Sequence, residues 1–218
     1  MDAALADRIE ARLRSPPPGR ALQEPSAFEM SFGRHFGPAR HDARRAAVMA
    51  LFFRRGEEWR LPLIVRPPQS LHHANQVSLP GGALERGEEP AQAALRELEE
   101  ELGVRRESVR VLGALSPLYV FSSNHYVMPI VGYLPHEPRF EPAALEVARL
   151  LETPVAHFLE PANLRITERR ESGVSARAAA YSWDGEEIWG ATCMILAEVA
   201  AVVRNACVKA VAVSDACR

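Results

Sequence analysis

The sequence predicts an α/β sandwich with a central mixed sheet. Three observations point there. Strand-like apolar runs are interspersed with amphipathic helical stretches along the chain. The helix predicted over Pro90–Leu102 carries a single apolar stripe, so it packs one face on a sheet. Ala191–Ala206 is apolar on most sides and suits a long, largely buried helix on the same sheet.

Taken in order, Asp2–Arg14 has helical spacing, with Leu5, Ile9 and Leu13 on one stripe, and Pro16, Pro17, Pro18 and Gly19 stop it. Little periodicity follows until about Arg45. Ala46–Phe53 reads as a buried strand, RRGEE as a turn and Trp59–Arg66 as the hairpin partner. A loop is expected from Pro67 to Gly87, and Gly103 is placed to end the Pro90 helix. VRVLGALSPLYV and HYVMPIVGYL suggest two strands joined at FSSN. LEVARLL and PVAHFL suggest short helical pieces. NLRITERRE and AAAYSW suggest strands around an SGVSAR turn. The expected organisation is a helix and irregular arm over 1–44, which caps the domain or mediates a homodimer, a catalytic-sized domain over 45–206, and a tail over 207–218.

With 218 residues, 47% of them hydrophobic, the chain can bury one sizeable core. A formal net charge of -2 argues against a nucleic acid or an anionic membrane as the main partner. Lys209 is the sole lysine, so basic charge is carried by arginine, whose planar fork suits oxyanions. Cys193, Cys207 and Cys217 lack paired spacing, which fits a reducing compartment. The first residues lack a signal-peptide core, and no run approaches bilayer-spanning length. A cytoplasmic protein is expected.

The stretch RELEEELG, Arg96–Gly103, puts four glutamates into five consecutive positions. At roughly 100° per residue, Glu97, Glu100 and Glu101 share one arc about 100° wide, and Glu99 lies on the opposite side. Ala91, Ala94, Leu95, Leu98 and Leu102 form the apolar stripe beside that arc. Carboxylates at the edge of a core need a cation, either an arginine or a hard metal ion. Periodicity alone leaves a solvated acidic face equally open.

The wider segment GALERGEEPAQAALRELEEELGV, Gly82–Val104, resembles the Nudix box. Gly82, Glu88, Arg96, Glu97, Leu98, Glu100, Glu101, Gly103 and Val104 fill its fixed positions. The resemblance implies a Nudix-type α/β/α sandwich with a loop-helix motif, and hydrolysis of a nucleoside diphosphate linked to another moiety. It also implies Mg2+ or Mn2+ as cofactor, with Glu97, Glu100 and Glu101 as ligands aided by the carbonyl of Gly81. Arg96 would orient Glu97, and Glu88 would support the loop. Glu97 is the first candidate for the general base and Glu146, outside the box, the second, with a surface glutamate as the alternative reading of Glu146.

LIVRPPQSLHHANQVSLPGG, Leu63–Gly82, is similar to the extra signature of the coenzyme A pyrophosphatase branch, through Leu63, Arg66, His73, Gln76, Pro80, Gly81 and Gly82. Departures are Ile64 for threonine, Pro67 for serine, Ser70 for leucine, Leu71 for arginine, Asn75 for glycine and Leu79 for phenylalanine. Coenzyme A or an acyl derivative is the substrate this implies, with Arg66, His73 and Gln76 contacting it. ADP-ribose, a nucleotide sugar or a nucleoside triphosphate are the alternatives. A non-catalytic Nudix-fold module is the other class, and the intact box glutamates count against it. Trp189 is expected in the core, with an approach of Trp189 and Gly190 to the substrate as the alternative.

Overall fold

The computed structural model describes residues 3–14, 38–69, 73–171 and 174–215. The Pro16–Gly19 stop, most of the expected arm, Ser70, Leu71, His72, the tip of the SGVSAR turn and Cys217 lie outside them.

The central strand is β1 (Arg44–Arg55). Its alternation divides the core. Ala47, Met49, Leu51 and Phe53 join one buried cluster, whereas Ala46, Ala50 and Phe52 join another on the opposite face. A turn at Gly56, at φ +60, returns the chain into β2 (Glu58–Val65), antiparallel to the end of β1. Two short strands follow, β3 (Val77–Ser78) and β4 (Gly81–Ala83), where a plain loop was expected. β3 pairs with β2, and β4 pairs with the start of β1 through Ala46↔Ala83 and Val48↔Gly81. One edge of β1 therefore changes partner from β4 to β2 partway along. Its other edge pairs parallel with β7 (His125–Tyr133), which makes the sheet mixed.

Helix α2 (Pro90–Leu102) starts with Pro90 at its first position and Gln92 Oε1 accepting from the Glu89 N–H. It ends at Gly103, φ 69, whose N–H donates to the Glu99 carbonyl. Ala94, Leu98 and Leu102 of the stripe are buried against the Met49 face of β1 with Ala91 and Leu95 partly buried beside them, and Ala93, on the glutamate arc, is buried as well. The expected VRVLGALSPLYV strand divides into β5 (Arg110–Ala114) and β6 (Leu118–Val120), both antiparallel to β7. A register shift between Val111 and Gly113, followed by Pro117, breaks it.

LEVARLL is not helical. It is a turn followed by β8 (Arg149–Pro154), which occupies the edge of β2 with Leu63 opposite Leu151. Unpaired backbone on β2 outweighs the helical spacing of the leucines. PVAHFL does form a short helix, α3 (Val155–Leu159). A second, antiparallel sheet of β9 (Arg165–Glu171), β10 (Val174–Trp183) and β11 (Glu186–Trp189) comes next. β11 was not anticipated, although Asp184-Gly185 between Trp183 and Glu186, both at positive φ, is a strong two-residue hairpin signal.

Helix α4 (Gly190–Asp215) covers the Ala46 face of the sheet and continues well past Ala206, so the expected tail is helical to residue 215. Its Gly190–Cys207 stretch is, contrary to expectation, long and apolar enough by length and composition to cross a bilayer. In the fold it is core: Cys193, Met194, Leu196 and Val199 are fully buried. Glu198, 0% exposed, accepts from both the N–H and the hydroxyl of Ser116.

Helix α1 (Ala3–Leu13) packs against β5 and α4, with Leu5 and Ile9 buried and Arg110 of β5 paired to Asp7 and Glu10. A Cβ on Gly113 would lie 2.9 Å from the Leu13 Cβ, so β5 is flat where the helix crosses it. Ile9 sits in the same cluster as Leu61 and Phe158. Ile9→Ala should therefore cost about 2–5 kcal/mol in urea unfolding, as for any large core side chain. A loss below about 0.5 kcal/mol would mean that α1 is an appendage rather than part of the domain.

Candidate active site

Glu97 and Glu101 lie one turn apart on α2, on the side that overlooks β4. Glu101 is 3% exposed, and its Oε2 accepts from the Gly81 N–H at 2.9 Å. Strand β4 can pass this close only because it has no side chains here. A Cβ on Gly82 would fall 2.3 Å from Glu97 Oε1, and one on Gly81 would fall 2.3 Å from the Ala47 carbonyl. Gly81 also sits at φ +152, where an L side chain is strained.

The third carboxylate arrives from elsewhere. The 141–147 segment supplies partners for carbonyls left open at the end of α2: Glu141 N–H donates to Leu102 O and Ala143 N–H to Glu101 O, both at 2.9 Å. Val147 then anchors the segment in the core. That docking carries Glu146, although exposed, to the helix. Among the described residues, Glu97, Glu101 and Glu146 offer oxygens that all lie within 4.8 Å of one another.

Glu100 is not part of this group. It is half-exposed and pairs with Arg96 at 3.0 Å. Arg96 is the hub of the outer face. It forms a fork on Glu88 (3.0 and 3.1 Å), reaches Glu97 Oε1 at 2.8 Å and donates to the Ala83 carbonyl at 3.1 Å. Its partners push its pKa up, Glu88 foremost, and Arg96 in turn holds Glu88 below the usual carboxylate value. Glu99 does not simply face water; Arg106, in the turn after Gly103, pairs with it at 2.6 Å.

Burial pushes the Glu101 carboxyl up to about 8. The Gly81 N–H and the charge of Arg66 pull it down, while Glu97 and Glu146 push it further up. Glu97 is also raised, chiefly by burial, against the pull of Arg96. An all-oxygen donor set with a buried carboxyl that holds its charge reluctantly fits a hard divalent cation, which would offset the desolvation.

On the other side of β4 lies a cavity of about 260 Å³. Gly81 and Gly82 line it, together with Arg66, His73 and Gln76, so all three expected contact residues are in its wall. Their loop is ordered by hydrogen bonds: Arg66 N–H to Gln76 O at 3.0 Å, Asn75 N–H to Arg66 O at 3.2 Å, and His73 Nδ1 with Gln76 Oε1 at 2.9 Å. Asn75, which stands where the resembled signature has glycine, adopts φ +58, a conformation asparagine accepts more readily than most side chains. Leu79, standing for phenylalanine, is a 2%-exposed core residue. Of the opposite wall, sequence reasoning raised only Trp189 and Gly190, and as the alternative to a core tryptophan. That wall comes from the start of α4 (Gly190, Thr192, Ile195), the Ser122–Ser123 turn and Trp189, which is half-buried in the cavity wall rather than in the core. The Asp184-Gly185 hairpin signal could have placed Trp189 at a strand end, next to a helix start.

Carboxylates beside such a cavity suit hydrolysis of a phosphoanhydride, whose own charge repels a nucleophile until a cation is brought to it. The family model and the curated relatives agree. The NUDIX domain family model matches residues 43–168. An uncharacterized Nudix hydrolase NudL of Photorhabdus laumondii is 33% identical over 155 residues, 66% of this chain and 82% of the relative. Its namesake in Yersinia pestis is 33% identical over 168 residues, 72% of this chain and 78% of the relative. A MutT protein structure from Methanosarcina mazei superposes at TM-score 0.49 with 16% identity, covering 72% of this chain and 92% of that one. The chain belongs to the Nudix family. It is a pyrophosphatase of that family, acting on small nucleotide derivatives.

The raised carboxyls have a measurable consequence. A folded pKa near 8 against an ordinary 4.5 means that the cation-free fold binds more protons than the unfolded chain between those values. The stability contributed by Glu101 is fully present below about pH 4.5 and is lost as pH rises through about 8. His157, lowered by burial, acts oppositely below its ordinary 6.5, so the difference between proteins is the readout. In chelator, Glu101→Gln should gain thermal stability relative to the native chain steadily from pH 5 to pH 8. A constant difference across that range would contradict the buried, reluctant carboxylate.

Proposed function

We propose that this chain hydrolyses the diphosphate bond of coenzyme A or acyl-coenzyme A, giving (acyl-)4'-phosphopantetheine and adenosine 3',5'-bisphosphate, with Mg2+ or Mn2+ as cofactor. The observation that carries the substrate reading is that Arg66, His73 and Gln76 share one cavity with Gly81 and Gly82, beside the carboxylates. A nucleophilic water bonds to one phosphorus, and the bridging oxygen leaves with the other phosphate.

Glu97, Glu101 and Glu146 would hold the cation, and the box assigns Gly81 O and Glu100 as further ligands. Glu100 would have to leave Arg96 to take part. Bound there, a divalent cation supplies charge neutralisation and orientation of the diphosphate. Arg96 fixes the Glu97 rotamer through its 2.8 Å contact, with Glu88 and Ala83 O holding the guanidinium. Glu97 or Glu146 takes the proton of the attacking water. Arg66 offers a guanidinium to a phosphate oxygen; its buried Nε has no hydrogen-bond partner among the described residues. A cytoplasmic setting belongs to the same proposal, in keeping with three cysteines that lack paired spacing.

The purified chain should therefore cleave coenzyme A species in Mg2+, with both products resolved by chromatography, in preference to ADP-ribose, nucleotide sugars and nucleoside triphosphates. Turnover of one of the latter without coenzyme A would overturn the substrate assignment. Glu101→Gln should lower kcat by at least about a hundredfold. Glu99→Gln, which loses an ion pair worth up to about 1 kcal/mol, should stay within a few fold of the native rate. Equal effects from the two substitutions would refute the placement of the metal.

A further inference from the structure

The cavity is divided by chemistry. Its floor is apolar and buried: Val120 at 9% exposure, Val127 at 7% and Ile195 at 2%, with Trp189 along one side. Polar groups stand around that floor, from the 73–78 segment and from the Ser122–His125 turn, whose Ser122 is exposed. Gly81 and Gly82 line the same cavity, so the floor lies beside the glycine strand that contacts Glu101.

Two groups flank the diphosphate of coenzyme A. On the nucleoside side is a ribose with a hydroxyl and a 3'-phosphate. Set directly on Val120, Val127 and Ile195, those groups would lose water and gain no partner from the floor itself, at a cost of several kcal/mol for the neutral groups and more for the charged one. On the other side, the carbon next to the phosphate-bearing methylene carries two methyl groups, and the amides of the pantetheine arm follow it. Methyl groups gain from an apolar floor, and amides can be met by the polar rim. Ser78 Oγ, buried in the wall, has no hydrogen-bond partner among the described residues and suits such an amide.

We propose that this cavity binds the pantetheine arm rather than the nucleoside, with the dimethyl carbon on the Val120–Val127–Ile195 floor, and that Ile195 and Trp189 are specificity-determining residues. The inference rests on the coenzyme A reading above and adds which half of the substrate is recognised. The arm runs outward from the floor, so an acyl group on its sulfur is tolerated.

The test compares coenzyme A with an analogue that lacks the two methyl groups, using the full chain in Mg2+. Each methyl is worth about fourfold, so kcat/KM should fall about fifteenfold for the analogue. Binding gives a second readout: 4'-phosphopantetheine should compete with coenzyme A at a concentration at least about ten times lower than adenosine 3',5'-bisphosphate does. Ile195→Ala should shrink the fifteenfold gap to a few fold, a ratio that a general loss of folded enzyme would not change. Equal turnover of coenzyme A and the analogue, or tighter competition by the bisphosphate, overturns the proposal and leaves the coenzyme A reading standing. Turnover of neither, alongside turnover of ADP-ribose, removes the coenzyme A reading and this inference with it.

Discussion

The site depends on the buried contact between Glu101 and the backbone of Gly81, a carboxylate 3% exposed held by one N–H at 2.9 Å. One hydrogen bond does not offset the desolvation of a carboxylate, which is why its pKa stands so far above normal. The contact exists because the helix and β4 approach without intervening side chains, and glycine at 81 and 82 is what allows the approach. The fold thus holds an unfavourable charge in a fixed position. Relief by a cation is consistent with every surrounding feature, including the raised Glu97 and the third oxygen donor.

Arg96 and the 141–147 segment solve the other half of the problem, which is orientation. Like charges on one helical arc would drift apart if each were free in water. Arg96 satisfies Glu88, Glu97 and Glu100 together, fixing the outer edge of the arc through charge-assisted bonds. The segment fixes the inner edge differently, by donating backbone N–H groups to the end of α2. Glu146 is brought in by this helix capping, a structural need that exists whether or not the residue has a chemical role.

That distinction explains what the sequence disclosed. Helix α2, its stripe and its ends were legible because period, Pro90 and Gly103 all agree. The arc containing Glu97 and Glu101 followed from helical geometry alone. Glu100 belongs to the same arc, yet a neighbouring arginine turns it away, and rotamer choice of that kind has no periodic signature. Glu146 is 45 positions from Glu101, and its approach depends on backbone hydrogen bonds that no side-chain pattern records. The LEVARLL strand fails for a similar reason: the edge of β2 selected its partner, and spacing of leucines did not. Trp189 looked like core because aromatic residues usually are, whereas the hairpin before α4 leaves it at the cavity wall.

The sheet separates the carboxylates from the cavity. Carboxylates stand on the α2 side, where Ala47 and Met49 pack, and the cavity opens on the α4 side, where Ala46 and Val48 line it. Gly81 and Gly82 touch both. A substitution on α4 or β11 can therefore reshape the cavity with little effect on the carboxylates across the glycine strand. Arg66 is the exception, because it lines the cavity and its charge acts on Glu101 across the glycine strand. Electrostatic coupling needs no contact, so occupation of the cavity by a phosphate near Arg66 would weaken its pull on Glu101 and raise the demand of the carboxylates for a cation. Under the proposed function, substrate and cation would then favour each other's binding through charge.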